Sequence, residues 1–219
     1  MNESAANSKS ERTFMPAAGW DWLLPIYDPI AKLFGGEDAR KQLLAQAELR
    51  PGYGVLEIGC GTGILTILAK QLYPDVAVTG LDPDAKALAR ARSKAARAGV
   101  SVQFDQGFGD QLPYPAGTFD RVFSSVMYHH LPPAQKQNVL REAHRVLKPE
   151  GEFHLCDFEV REDGSPGFLL RLSHPKELLQ DNSEARVLSF LQQAGFRDCR
   201  KLGRHKMFGG AVAYYRAKR

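Results

Sequence analysis

Short apolar runs alternate with amphipathic segments through most of the chain. The runs, which are rich in Val, Ile, Leu and Phe, predict strands over residues 53–58, 76–81, 100–105, 119–126 and 151–158. The amphipathic segments predict helices over residues 37–49, 63–72, 84–98 and 133–147. Strands that alternate with helices in this way are typical of a parallel sheet with helices on both faces.

The last third of the chain departs from this alternation. Residues 159–183 are rich in Pro, Gly and charge; a predicted helix over 184–194 then ends at Gly195, and apolar runs follow at 196–202 and 207–215. Two strands joined by so short a link can pair only as an antiparallel hairpin. The expected fold is therefore an α/β, Rossmann-like, doubly wound sheet of seven strands, mostly parallel and finished by a C-terminal antiparallel hairpin.

Composition indicates one globular domain. The 219 residues are 43% hydrophobic and 25% charged, which predicts a single domain over residues 14–219 behind a disordered terminus, 1–13. No apolar run approaches the roughly 18 residues that a membrane span needs, and no signal peptide follows the polar start, so we expect a cytoplasmic protein. The three cysteines have neither disulfide nor zinc-site spacing, and no metal site is predicted.

An aromatic segment precedes the first predicted strand. Within residues 14–50, interpreted as a helical lid, Trp20, Trp22 and Tyr27 could close over a bound ligand. The alternative is that these rings only pack the N-terminal helix onto the sheet. A peripheral contact with a membrane is a further alternative, although two prolines and two acids interrupt the stretch that would make it.

Basic residues are concentrated at the C-terminal end. The net charge is +4, and residues 186–219 hold nine Lys and Arg against one acid, Asp198. Such a surplus can attract an acidic substrate, an anionic membrane surface or nucleic acid. Basic residues on the outward face of terminal strands are more often simply solvated, and we adopt that interpretation. Nothing in the pattern sets an oligomeric state.

The stretch VLEIGCGTG, residues 55–63, carries the chemistry of the first strand and its turn. A glycine-rich turn between a strand and a helix lets a ligand approach the backbone, and the helix offers unpaired N–H groups. The glycines stand at Gly59, Gly61 and Gly63, and Ile64 occupies the place of the third glycine of a dinucleotide fingerprint. No nucleoside-triphosphate loop is present.

Two acids narrow the choice of ligand. Asp82 ends the second predicted strand, where a carboxylate can accept hydrogen bonds from both hydroxyls of a ribose. Glu57 precedes the glycine turn and suits a cationic amino group. The combination indicates a ligand with a ribose, an amino group and no pyrophosphate, which is the description of S-adenosyl-L-methionine.

The ordered motifs VLEIGCGTG, GLDPD, LPYPAGTFDRVFSS, HHL and REAHRVLKPEG resemble the class I S-adenosylmethionine-dependent methyltransferases, in the branch similar to the ubiquinone and menaquinone biosynthesis enzymes. The resemblance spans roughly residues 50–160. A nicotinamide-dependent oxidoreductase and an inactive cofactor-binding partner subunit are the alternatives, and Ile64 disfavours the former.

The resemblance implies a role for nine residues. Glu57 would bind the methionine amino group, and Asp82 would bind the ribose. The backbone of Gly59, Cys60 and Gly61 would line the methionine moiety, and the Ser124 carbonyl would face it. Pro83 and Phe108 would pack by the adenine, and the Gly109 N–H would reach a ring nitrogen. Phe108 stands where the family often has an acid, so either it only packs on the ring or Asp110 reaches in instead.

The acceptor side of the site carries a pair of histidines. Methyl transfer is an in-line displacement that depends more on alignment than on a base, so a missing base does not argue against it. His129 or His130 could deprotonate a hydroxyl, although we expect His130 to be a hydrogen-bonded loop residue, and no catalytic residue is assigned. The sequence SSVMYHH lacks the motif that grips a planar base, so we expect a small-molecule acceptor rather than nucleic acid.

Overall fold

The computed structural model describes residues 36–160, 180–207 and 210–219. The predicted disordered terminus, the aromatic part of the predicted lid and most of the Pro- and Gly-rich connection before the last helix lie outside these ranges. The described part of the chain forms a seven-stranded sheet with helices on both faces.

The elements follow the order expected from the alternation of apolar and amphipathic segments. The strands are β1 Gly54–Ile58, β2 Ala77–Asp82, β3 Gln103–Gln106, β4 Phe119–Ser125, β5 Leu147–Phe158, β6 Arg197–Met207 and β7 Gly210–Lys218. The helices are α1 Glu37–Gln46, α2 Ile64–Leu72, α3 Ala85–Arg97, α4 Pro133–Val146 and α5 Glu184–Gln193. Short 3-10 turns span Tyr128–His130 and Gln180–Asn182.

The sheet has the strand order β3-β2-β1-β4-β5-β7-β6. Strands β1 to β5 pair in parallel, whereas β7 pairs antiparallel with both β5 and β6. The predicted Rossmann-like, mostly parallel fold with a C-terminal hairpin is confirmed. Because the strand order reverses between β1 and β4, the carboxyl ends of these two strands border the crevice in which doubly wound folds bind ligands.

Four strands differ from their predicted bounds by three residues or more, namely β3, β5, β6 and β7. β5 begins at Leu147 rather than at residue 151, because Leu147 pairs with Phe119 ahead of a register shift, and β7 spans 210–218 rather than 207–215. β3 begins at Gln103 rather than at residue 100, because the Val100 N–H donates to Ala95 O and so closes the end of α3 instead of pairing in the sheet. β6 extends to Met207, well beyond the predicted end at residue 202, because β7 stays paired with it as far as Gly210 through two register shifts.

Alternate residues of the central strands face opposite layers of helices. Val55 and Phe123 pack with α1 in one apolar cluster, whereas Leu56 and Val122 pack with α4 and α5 in the other. Glu57 therefore shares the α1 face with Val55. Partners of that buried carboxylate can therefore come from α1 and α2, because both helices pack on this face.

The basic C-terminal residues lie beside acids. Exposed Arg197 and Arg200 pair with Glu150 and Asp198, and Lys201 Nζ lies 2.5 Å from Glu159 Oε1. These contacts agree with the interpretation of the surplus as a solvated face.

Within the described ranges, no helix is long and apolar enough to cross a membrane.

Candidate functional site

The turn after β1 is built on left-handed backbone. Gly59, Gly61 and Gly63 have φ angles of +74°, +52° and +76°. A side chain at such an angle is strained, which explains why glycine recurs at these alternate positions. The N–H groups of Gly59 and Cys60 both donate to Leu81 O, at 2.8 and 3.0 Å. The turn is thereby fixed against the end of β2.

Close packing leaves no room for a side chain at Gly59 or Gly63. A Cβ atom on Gly59 would lie 2.3 Å from Cγ of Met127, and one on Gly63 would lie 2.9 Å from Cβ of Ala91. Met127 follows β4, whereas Ala91 belongs to α3. The turn is therefore pressed between the segment after β4 and α3, which leaves its backbone as the surface offered to a ligand.

Glu57 is a buried carboxylate at the carboxyl end of β1, with 4% of its surface exposed. The Thr66 hydroxyl, from the first turn of α2, donates a hydrogen bond to its Oε2. Burial raises the pKa of Glu57 to about 7, and the Thr66 hydrogen bond and the positive charge of Arg40 oppose that rise. A cationic ligand group would favour the ionised form.

Asp82 is held at the carboxyl end of β2 by two backbone N–H groups. Its Oδ2 accepts from Gly61 N at 2.8 Å, and its Oδ1 accepts from Asp84 N at 2.9 Å. Burial raises the pKa of Asp82, while these two hydrogen bonds act in the opposite direction. Since a carboxylate oxygen has two lone pairs, each oxygen keeps one for a further donor such as a ribose hydroxyl.

The loop after β3 is tied to the same edge. Gly107 N donates to Asp82 O at 3.1 Å, and Gln106 Nε2 donates to the carbonyl of half-buried Pro83, also at 3.1 Å. A Cβ on Gly109 would lie 2.6 Å from Cγ2 of Ile58, so the loop rests directly on the end of β1. Half-buried Phe108 and Asp110 flank Gly109, and the choice between them for adenine contact stays a prediction.

Ser124 and Ser125 end β4 beside the glycine turn. Ser124 is fully buried, and the Oγ atoms of both serines are buried without a hydrogen-bond partner in the described part of the chain. Ser124 pairs with Leu155, and Ser125 pairs with Cys156. By the alternation along β4, Ser124 faces the α4 side and Ser125 faces the α1 side, which it shares with Glu57.

His129 has a partner that sequence reasoning did not identify. Its Nδ1 lies 2.7 Å from Oδ1 of Asp157 near the end of β5, and its backbone N donates to Oδ2 of the same residue at 3.2 Å. Both residues are buried. Burial alone would raise the pKa of Asp157, but the charge and hydrogen bond of His129 hold it below the ordinary value. The His130 ring packs against the His129 ring in a tilted arrangement, with centroids 4.0 Å apart.

A second buried polar cluster lies beneath this pair. Lys136 in α4 is fully buried; its Nζ donates to Asn182 Oδ1 at 3.0 Å and lies 5.3 Å from the centre of the Tyr128 ring. Asp181 is buried and accepts from Arg186 at 2.9 Å. Sequence reasoning missed this cluster. One signal in the sequence could have indicated it. Lys136 precedes Val139 by three residues and Leu140 by four, which puts this charged residue on the apolar face of its helix.

Of the nine residues predicted to bind the cofactor, all lie at the carboxyl edge of β1, β2 and β4 or in the loops that continue these strands and β3. Within the described ranges, no group of three or more His, Cys, Asp or Glu side chains could hold a metal ion. The site therefore presents a bare backbone turn flanked by two buried carboxylates, with a His–Asp pair at its far end.

Comparison with known proteins decides the family. A methyltransferase domain matches residues 55–151, from β1 into β5. An uncharacterised methyltransferase of Synechocystis is 33% identical over 206 residues, an alignment that covers 91% of this chain and 92% of the relative. The chain belongs to the methyltransferase family. This methyltransferase uses S-adenosylmethionine, as the sequence predicted.

Two further comparisons agree with this assignment. A 2-methyl-6-phytyl-1,4-hydroquinone methyltransferase of Oryza sativa is 34% identical over 163 residues, which cover 74% of this chain and 47% of the relative. The crystal structure of the YcgJ protein from Bacillus subtilis superposes with a TM-score of 0.71 over 84% of this chain and 98% of that one, at 21% identity. The structural match establishes the fold.

The residues present suit S-adenosylmethionine on their own chemistry. A turn in which Gly59 leaves no room for a side chain, a carboxylate at Asp82 with lone pairs to spare, and a buried carboxylate at Glu57 complement a thin, cationic, ribose-bearing molecule. Ile64 lies where a diphosphate would need glycine.

Proposed function

We propose that this methyltransferase transfers a methyl group to the hydroxyl, or to the hydroxyl-activated ring, of a small molecule, with His129 taking the hydroxyl proton. The observation that carries the proposal is the buried hydrogen bond between His129 Nδ1 and Asp157 Oδ1. Asp157 favours the imidazole tautomer that carries its proton on Nδ1, so Nε2 becomes the basic atom. A carboxylate beside the ring also stabilises the imidazolium formed on proton transfer.

The His–Asp pair is linked to the cofactor turn through Met127. Met127 packs so closely on Gly59 that a Cβ there would overlap its side chain, and His129 follows two residues later in the same short segment. This short link supports placing an acceptor held by His129 near the part of the turn proposed to line the methionine moiety. That is the end of the cofactor from which the methyl group leaves.

The cofactor would be held by the nine residues named from the sequence. Glu57 would accept from the amino group, Asp82 from the ribose hydroxyls, and the Gly109 N–H would donate to the adenine. The other contacts are backbone or packing contacts from Gly59, Cys60, Gly61, Pro83, Phe108 and Ser124. The turn backbone supports this arrangement, because its left-handed glycines expose main-chain groups rather than side chains.

The chemistry that the cofactor supplies is an activated methyl group on a sulfonium. The chain aligns the acceptor and excludes water, which can lower a barrier by about 7–11 kcal/mol, whereas a general base contributes about 10²–10⁴-fold, or roughly 3–5 kcal/mol. At a hydroxyl acceptor, His129 would take the O–H proton while the oxygen gains the methyl group that the sulfur loses. At a ring carbon, the ring C–H proton would also have to leave after the methyl group has added, and the oxygen would regain its proton as the ring becomes aromatic again. In both cases S-adenosylhomocysteine and the methylated acceptor would be the products.

The proposed acceptor class rests on two supports. A histidine base is useful for an acceptor whose hydroxyl must lose a proton, and the rice relative is named for a hydroquinone. We therefore infer an acceptor of that chemical class, a phenol or hydroquinone, ahead of nucleic acid. Pairing of the basic C-terminal residues with acids supports this choice, since it leaves less positive charge for a phosphate backbone.

A panel of phenols, hydroquinones and alcohols, incubated with radiolabelled S-adenosylmethionine, tests the proposal. Once an acceptor is found, His129→Gln and Asp157→Asn should lower kcat by about 10²–10⁴-fold while S-adenosylhomocysteine binds with unchanged affinity. The wild-type pH–rate profile should show a basic group whose contribution is lost in His129→Gln. Binding of S-adenosylhomocysteine without transfer to any member of the panel or of a cell extract would favour an inactive cofactor-binding subunit instead.

A further inference from the structure

Val126, the residue that follows β4, has a left-handed backbone. Its φ angle is +52°, in a region that disfavours L-residues because the Cβ atom approaches the following carbonyl oxygen. The second branch on Cβ makes this conformation less favourable for valine than for most residues. The backbone at this position is therefore strained, and contacts elsewhere in the fold must hold it.

Val126 differs from the other residues that share this conformation. Within the described part of the chain, three more residues besides glycines have positive φ, namely Glu48, Glu150 and Asp198. All three are exposed, none is β-branched, and they lie after α1 and near the starts of β5 and β6, toward the amino edge of the sheet. Val126 lies instead at the carboxyl edge, beside the candidate site. Strained backbone that is retained at such a site is commonly part of its function.

The left-handed residue bends the chain out of the sheet. Ser125 still pairs with Cys156, and the Val126 N–H donates to Cys156 O at 2.8 Å. Directly afterwards the chain enters the 3-10 turn, in which His130 N donates to Met127 O at 3.0 Å. The change from strand to turn is thus made at one residue, and that residue is not a glycine.

Two contacts of the candidate site depend on this bend. Met127 packs against the glycine turn so closely that a Cβ added to Gly59 would overlap its side chain. His129 is joined twice to the Asp157 carboxylate, through its backbone N–H at 3.2 Å and through Nδ1 at 2.7 Å. An extended backbone at Val126 would carry the chain onward along the direction of β4. Both contacts would then be lost together.

We propose that Val126 is a positioning residue for methyl transfer. Its left-handed backbone places Met127 against the cofactor turn and His129 against Asp157, and its strain sets how readily residues 126–131 leave that arrangement. The inference rests on the role proposed above for His129. Because relaxation of Val126 to negative φ withdraws the proposed base from its carboxylate, the population of the base-competent arrangement depends on the backbone preference of this one residue.

Hydrogen exchange of the full chain, followed by NMR without an acceptor, measures how often this segment opens. Three backbone amides report the opening, because each donates to a group that the segment would leave. They belong to His129, His130 and Leu131. Val126→Asn keeps a side chain but tolerates the left-handed region, so it should slow exchange of these amides by about 5- to 30-fold, the population change that corresponds to the cost of a left-handed residue.

The imidazole proton that His129 shares with Asp157 gives a second reading of the same opening. Its resonance is identified by its loss in His129→Gln, and its exchange with solvent should slow in Val126→Asn by the same factor as that of the amides. Val126→Gly removes the Cβ atom altogether and should slow both kinds of proton by a smaller factor, because glycine also gains freedom in the relaxed arrangement. Agreement between amides and imidazole ties the backbone of Val126 to the proposed base.

Control variants separate strain from other effects. Val126→Ile keeps the β-branch, so exchange should match the wild type, and Glu48→Asn relieves a left-handed residue with φ +47° far from the site and should leave these protons unchanged.

Two results would overturn the proposal. One is equal exchange in Val126→Asn and the wild type; the other is slowing that extends equally to the amides of Ala77 and Thr118, which would indicate a gain in global stability. The role of His129 is tested separately. If His129→Gln left methyl transfer unchanged while Val126→Asn slowed exchange, the proposed base would be wrong and the assignment of the bend to Val126 would hold.

Discussion

The Asp82 carboxylate accepts the Gly61 N–H at 2.8 Å, and this contact joins the end of β2 to the turn after β1. The residue proposed to hold the ribose is therefore also a structural partner of the turn proposed to hold the methionine. One hydrogen bond fixes the relative positions of two parts of the cofactor site. Changes at Asp82 are consequently expected to affect both ligand affinity and the order of the turn.

Asp82→Asn tests this double role. The amide has one acceptor oxygen where the carboxylate has two, so it cannot accept from Gly61 N, Asp84 N and a ribose together. We expect S-adenosylhomocysteine affinity to fall by about 10- to 100-fold, with a lower melting temperature of the unliganded protein. Calorimetry and thermal unfolding measure the two effects. Exposed Asp75→Asn serves as the control, and equal affinity in both variants would remove Asp82 from the site.

The raised pKa of Glu57 predicts that the free energy of unfolding depends on pH. Its pKa is raised from 4.5 to about 7 in the folded state, so between these values the folded protein holds a proton that the unfolded chain has lost. This proton stabilises the folded state fully below about pH 4.5. Its contribution is lost as the pH rises through about 7, so the free energy of unfolding should decrease by roughly 3 kcal/mol across that range. Urea unfolding at pH 5 and pH 8 should show a smaller decrease in Glu57→Gln than in the wild type. Parallel pH profiles of the two proteins would contradict the shift.

Ligand binding should show the opposite trend with pH. A cationic amino group favours ionised Glu57, so S-adenosylhomocysteine affinity should rise between pH 6 and pH 8 and binding at pH 6 should release a proton. Titrations in buffers of different ionisation enthalpy detect that proton. Glu57→Gln should bind more weakly and lose the proton release attributed to this residue, and retention of full release in the variant would assign it to another group.

Gly59→Ala should damage the turn more than Gly99→Ala. Both glycines have positive φ, at +74° and +66°, so both substitutions cost about 1–2 kcal/mol of backbone strain. Only the Cβ at position 59 meets another group, Cγ of Met127 at 2.3 Å, whereas nothing lies within 4 Å of the one at position 99. Gly59→Ala should therefore lose further stability from overpacking, typically about 1–3 kcal/mol, and also cofactor affinity. Comparable melting temperatures for the two variants would show that the turn relaxes.

The burial of Lys136 predicts that its substitution by Ala and by Met will change stability by different amounts. Burial lowers the pKa of its ammonium group, which is fully enclosed against the Tyr128 ring and Asn182. Lys136→Ala should destabilise the protein by about 2–5 kcal/mol, because it leaves a cavity and removes the hydrogen-bond donor to Asn182 Oδ1. Lys136→Met fills the volume and should recover most of that loss. Denaturant unfolding measures both, with exposed Lys86→Ala as a control near zero; equal losses for Ala and Met would indicate that charge, not volume, dominates.

The local pattern of apolar and polar residues correctly predicted the order of strands and helices and the glycine turn after β1. Periodicity reflects the repeat of the backbone itself, so the strands and helices could be predicted from their own residues, and Asp82 could be placed because a known strand ends there. The boundary errors have one local cause and one that depends on pairing between strands. β3 starts late because Val100 closes the end of α3, and β6 extends because β7 continues beside it.

The amino-acid sequence by itself determined the doubly wound fold, the family and the cofactor, because each depends on short motifs in a fixed order along the chain. Only the tertiary structure brought Asp157 to His129, Lys136 to Asn182, and Arg40 to the face that carries Glu57. Each of these pairs joins different elements of the fold. Which elements become neighbours is set by strand order and helix packing, and neither is written in the local pattern of any one segment.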